Sequence, residues 1–135
     1  MVRVFLQPAA DESMRSDAEM EATGMQVAMQ YEREHGREPE DVSSENLGHD
    51  IRSTTPSGQV RCIEVKARAT TGAIVLTLNE WLMAQRLGDE DWLYIFENPR
   101  TDPRLHTIEN PAAKLEPGEI TGSVRHVIKN WKNGL

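Results

Sequence analysis

The chain has 135 residues and a formal net charge of −7, a length that suits one domain with a single modest core. Residues 1–50 hold 4 Lys/Arg against 12 Asp/Glu and residues 51–135 hold 11 against 10; since affinity for duplex DNA comes largely from Lys and Arg displacing counterions, this acidity argues against strong sequence-independent DNA binding by the domain alone. A single cysteine, Cys62, excludes an internal disulfide and a Cys-rich zinc site, and no stretch approaches the roughly 20 apolar residues of a membrane helix; a soluble, cytoplasmic protein without membrane contact is expected.

Residues 1–6 read as a short strand without the apolar run of a signal peptide, and Pro8 to Asp17 as a polar connection. From Asp17 to His35, Met20, Gly24, Val27 and Tyr31 recur at helical spacing with Met25 and Ala28 beside them, which predicts an amphipathic helix. Gly36 stands where a C-cap glycine belongs, and Pro39 discourages continuation. Asp41 to Gly48 reads as a polar loop. Asp50–Thr54 can form a strand ending at the Pro56-Ser57-Gly58 turn, followed by the alternating Val60–Ala67 and the short apolar run Ala73–Leu76. Together these predict an antiparallel meander.

Thr77-Leu78-Asn79-Glu80 fits a capping box, and Trp81, Leu82, Ala84 and Leu87 continue it as an amphipathic helix to Gly88. Trp92–Phe96 is a β-prone run, Leu105–Ile108 suits one more strand, and Pro111 opens a short segment towards Leu115. A terminal helix is expected from Glu119 or Thr121 to Lys132, with Val124, Val127, Ile128 and Trp131 on its apolar side. The order from Asp17 onward is α-β-β-β-α-β with a C-terminal extension over 98–135, in one domain over 1–135 whose core is about 17–97.

Glu64 and Lys66 lie two apart on one strand and so project from one face. A buried strand normally avoids such a pair, because Lys and Glu are rarely buried without partners. A metal site would account for it: Glu64 and Asp50, with the Val65 carbonyl between, can hold a hard cation such as Mg²⁺ or Mn²⁺, which prefers oxygen ligands and keeps several waters. Water on that cation becomes the nucleophile for a phosphodiester, with Lys66 orienting it or offsetting transition-state charge. The competing reading makes Glu64 and Lys66 solvated residues of an edge strand and Asp50 a turn residue. The placement of the acids on two hairpin-paired strands after a helix favours the site.

The stretches Gly48-His49-Asp50-Ile51, Arg61 to Arg68, Leu76 to Trp81 and Trp92-Leu93-Tyr94 together resemble the protein NO VEIN C-terminal domain family, over roughly residues 20–132. That family is similar to the PD-(D/E)XK, restriction-endonuclease-like superfamily and its Mrr-like members. The resemblance implies an α/β fold with an αβββαβ core, a mixed central sheet flanked by helices, and a C-terminal helix. It implies a Mg²⁺-dependent endonuclease or exonuclease hydrolysing DNA phosphodiesters, with Asp50, Glu64 and Lys66 as the catalytic set and a helicase or other DNA-processing ATPase as partner. A homodimer also fits. Two rivals stand beside it: a non-catalytic module of the same fold that binds DNA or a helicase, and an interaction protein acting through the terminal helix at Val127 and Trp131.

The superfamily often carries an additional helix-borne Glu. Glu21 and Glu32 are the candidates; the Mrr-like position falls nearer Gly24, which favours Glu21, although an acid in the first turn also suits the helix dipole. Asn79 and Glu80 match the family's Asn-Glu pair, and capping alone accounts for Glu80. Arg52, Arg61 and Arg68 flank the site and can meet phosphates, or serve as solvated strand charges. His49 is sent to the face opposite Asp50, and His35, His106 and His126 show no metal-ligand spacing.

Overall fold

A computed structural model describes residues 11–68, 74–97, 102–115, 119–121, 125–128 and 132, with side chains for 18–68, 74–97, 102–115 and 132. In chain order the elements are α1 (Asp11–Glu34), β1 (Glu38–Asp41), β2 (Ile51–Thr54), β3 (Val60–Arg68), β4 (Ile74–Thr77), α2 (Leu78–Leu87), β5 (Asp91–Glu97), β6 (Arg104–Glu109), α3 (Pro111–Lys114), β7 (Glu119–Thr121) and β8 (Arg125–Ile128). Five strands form a sheet in the order β1-β2-β3-β5-β6, and β4-β8-β7 form a second sheet. In the larger sheet β3 and β5 run parallel and the other neighbours antiparallel. The result is a mixed α/β fold whose central sheet is flanked by helices.

Alternation along β3 and β5 divides the core between two faces. On one, Ile51, Ile63 and Tyr94 pack with Ala28, Met25 and Met29 of α1. On the other, Leu93, Ile95 and Ile108 pack with Ile74 and Leu76 of β4, Trp81 of α2 and Leu115. Gly24 lets α1 approach the sheet closely, because a Cβ there would stand 3.3 Å from Ala67 Cβ and 3.5 Å from Phe96 Cβ. That fit offsets the roughly 1 kcal/mol a helical glycine costs.

α1 closes as expected. Gly36 has φ +76°, its N–H donates to the Arg33 carbonyl, and the Arg37 N–H donates to that of Glu32, the paired bonds of a Schellman motif. The predicted capping box is likewise present at Thr77 and Glu80. Four expectations are corrected. α1 begins at Asp11, so most of the expected polar connection is helical. Glu38–Asp41, where the sequence points only to a helix stop at Pro39 and a polar loop from Asp41, is an edge strand paired with β2. β4 leaves the meander and pairs with β8. In place of the terminal helix stand β7 and β8: β8 pairs with β4 and β7 with β8, a ladder that the β-branched Ile120, Thr121, Val127 and Ile128 suit and that overrides the helical spacing. The expected strand at 1–6, and Val124 and Trp131, lie outside the described residues. Among the described residues no helix is long and apolar enough to cross a membrane.

Candidate active site

β3 runs past the end of β2. Their pairing stops at Ile51↔Ile63, so Glu64 to Arg68 continue without a β2 partner. Asp50, immediately before β2, takes up the difference: its N–H donates to the Ile63 carbonyl at 2.8 Å, and its Oδ2 accepts from the Val65 N–H at 2.9 Å. This ties Asp50 to the backbone between Glu64 and Lys66. Val65 itself packs towards α1, which leaves Glu64 and Lys66 on the opposite face.

Lys66 Nζ stands 3.3 Å from Glu64 Oε2 and 3.0 Å from Glu80 Oε1. Burial works against the charged ammonium, but Glu64 and Glu80 outweigh it and raise the Lys66 pKa above its ordinary value. Glu64 is only 7% exposed. Burial, aided by the charges of Glu80 and Asp50, pushes its carboxyl well above the usual range despite Lys66. Burial also raises Glu80, yet Lys66 and the Thr77 amide prevail and hold it below the usual range. One ammonium thus stands among more carboxylates than it can neutralise, and the cost falls on Glu64, the most buried of them.

These groups line a cavity of ≈ 590 Å³ that brings Asp50, Glu64, Val65, Lys66 and Glu80 together with Glu21, Met25 and Arg68. Of the two helix-borne candidates, Glu21 faces this cavity. Glu32 does not: it is fully buried, takes bonds from Arg37 at 2.6 and 2.9 Å and accepts from the Tyr94 hydroxyl at 2.6 Å. Asn79 is exposed and lies beside Gly48, where an added Cβ would come within 3.3 Å of its Nδ2. Arg52 is 3.9 Å from Glu40, and Arg61 lies 3.6 Å over the Trp92 ring and donates to the Tyr94 hydroxyl. His49 is buried, and neither ring nitrogen has a hydrogen-bond partner among the described residues.

The sequence credited Glu80 with the cap and missed its bond to Lys66, 14 residues away; no local pattern encodes that contact. It also passed over Asp91, which β3–β5 pairing sets opposite Cys62, on the face that carries Glu64.

The donor set is all oxygen. Among the described residues no group of three or more His, Cys, Asp or Glu side chains could hold a metal ion, so a cation here would rest on the Asp50 and Glu64 carboxylates and be completed largely by water. That set suits Mg²⁺, which is usually bound by one or two carboxylates and keeps several waters, and a cation there would offset the negative charge gathered around Glu64.

The profile of the family described as Protein NO VEIN, C-terminal, matches residues 20–108. The chain belongs to that family. No curated protein matches it. Among solved structures it is similar to a Holliday junction resolvase of Archaeoglobus fulgidus, with a TM-score of 0.51 and 21% identity over 82% of this chain and 91% of that one. This member of the NO VEIN C-terminal family thus shares its fold with that resolvase. The matched span covers most of α1 and all of β2, β3, α2 and β5, so the carboxylates Glu21, Asp50, Glu64 and Glu80 of the cavity lie within the family's shared region.

Proposed function

We propose that this single domain is a metal-dependent nuclease, endo- or exonucleolytic, that hydrolyses DNA phosphodiester bonds. The observation that carries the reading is the convergence of Asp50, Glu64 and Lys66 on one cavity at the end of the β2–β3 pair. The fold shared with a Holliday junction resolvase supports DNA as substrate.

Asp50 and Glu64, with the Val65 carbonyl, would hold Mg²⁺ or Mn²⁺, which supplies Lewis-acid charge to the phosphoryl oxygen and lowers the pKa of water. Asp50 is oriented for this task by the Val65 amide. Burial, with the charges of Glu80 and Asp50, raises the Glu64 pKa, so a cation held there would compete with protons for this carboxylate. Lys66, kept charged by Glu64 and Glu80, donates to a non-bridging oxygen and offsets the negative charge that grows in the transition state. Arg68, on the cavity lining, positions the phosphate backbone without reading sequence. A helicase or other DNA-processing ATPase fits as a partner that supplies the affinity an acidic domain lacks. The net charge of −7 is also what favours the second reading, a non-catalytic module that docks on DNA or on such a helicase.

Plasmid, linear and single-stranded DNA incubated with Mg²⁺ or Mn²⁺ separates the two. Wild type is expected to cleave at least one of them, and Lys66→Ala to slow cleavage roughly 10²-fold, as for loss of one preorganised donor. Cleavage that persists undiminished in Lys66→Ala, or none by wild type with either ion, overturns the nuclease reading.

A further inference from the structure

Glu80 carries two bonds on one oxygen. Its Oε1 accepts from the Thr77 N–H at 2.8 Å and from Lys66 Nζ at 3.0 Å, while its own N–H donates to Thr77 Oγ1 at 3.1 Å. The first and third bonds are the capping box that starts α2. A capping box accepts Glu or Gln at this position, because it asks only for an acceptor oxygen. The cap therefore needs no charge. What uses the charge is the ammonium of Lys66, which is only 22% exposed, against an 18% exposed Glu80.

Lys66 is also within 3.3 Å of Glu64. Left to Glu64 alone, the ammonium would close on that carboxylate as a one-to-one pair and neutralise the oxygen a cation needs. A second carboxylate fixed by the start of a helix draws the ammonium to a point between the two. We infer that Glu80 is a positioning residue: through the α2 cap it fixes the Lys66 ammonium at a point shared between Glu64 and Glu80 on the cavity lining. The consequence for catalysis rests on the nuclease reading above; the placement of the ammonium does not.

The test uses the full chain as wild type, Glu80→Gln and, as a control that removes one exposed negative charge away from Lys66, Glu90→Gln. Glu80→Gln keeps the cap, so its melting temperature is expected to match wild type. Without metal or DNA, the hydrogen-bonded ammonium of Lys66 should give a slowly exchanging ¹⁵N–¹H signal in wild type and in Glu90→Gln. In Glu80→Gln that signal should broaden or vanish. An unchanged signal overturns the inference, whether or not the protein cleaves DNA. In the cleavage assay at saturating Mg²⁺ and DNA, Glu80→Gln should lose about 10-fold in kcat with KM for DNA unchanged, the scale seen when an outer partner of a site is removed. An unchanged kcat, or a loss confined to KM for DNA, would reduce Glu80 to general electrostatics and overturn the positioning role. If Glu80→Gln does melt lower, combining it with Lys66→Met decides: recovery of the melting temperature supports the inference, and additive losses overturn it. A wild type that cleaves nothing refutes the nuclease reading alone, since the ammonium signal still judges Glu80.

Discussion

Replacing Glu32 with alanine is expected to cost about 3–5 kcal/mol of folding stability, because it strips a buried ion pair of one partner. The Schellman closure of α1 brings Arg37 back over the last helical turn, where its guanidinium grips both Glu32 oxygens at 2.6 and 2.9 Å. The Tyr94 hydroxyl donates to Glu32 from the middle of β5 at 2.6 Å. Burial raises the Glu32 pKa, but these bonds and the Arg37 charge prevail and leave it below the ordinary 4.5. A depressed acid contributes stability that is present above its unfolded pKa and is lost as pH falls through the native one, so the cost in Glu32→Ala should shrink under acid conditions. Urea unfolding at pH 7 and at pH 3 measures both effects. A loss under 1 kcal/mol at pH 7 would show that the network contributes little. Metal binding should be unaffected, since Glu32 does not line the cavity.

Asp91→Asn should stabilise the fold at pH 8 by on the order of 4 kcal/mol and leave it unchanged near pH 4. Asp91 is 3% exposed, and burial, followed by the charge of Glu80, lifts its pKa from 3.8 to about 7. An acid with a raised native pKa holds its proton more tightly folded than unfolded. Its contribution is intact below the unfolded value and is lost as pH rises through the interval up to about 7, where the buried native carboxyl finally ionises beside the charge of Glu80. The amide has no such proton to lose. Thermal melts of wild type and Asp91→Asn across pH 4 to 8 should therefore diverge with rising pH, and parallel curves would refute the burial argument.

What the sequence reveals about this protein depends on how local the signal is. The α2 start is legible because Thr77 and Glu80 lie three residues apart and satisfy each other. The meeting of Asp50, Glu64 and Lys66 is legible because a hairpin and a two-residue period fix which side chains share a face. β1 is not: Glu38-Pro39-Glu40-Asp41 has little β-propensity and is a strand only because β2 offers it an edge, where proline is tolerated. The Val127-Ile128 pair sits at spacings that suit a helix as well as a strand, and only the partner β4, some 50 residues earlier, decides between them. The roles of Glu21 and Glu32 could not be separated from periodicity, since what separates them is Tyr94, 62 residues from Glu32.

Calorimetric titration of Mg²⁺ into wild type, Asp50→Ala and Glu64→Ala bears most directly on whether these two acids form one cation site. Wild type should bind a single Mg²⁺, and each variant should bind at least about 10-fold more weakly. Equal binding by all three proteins would contradict the site.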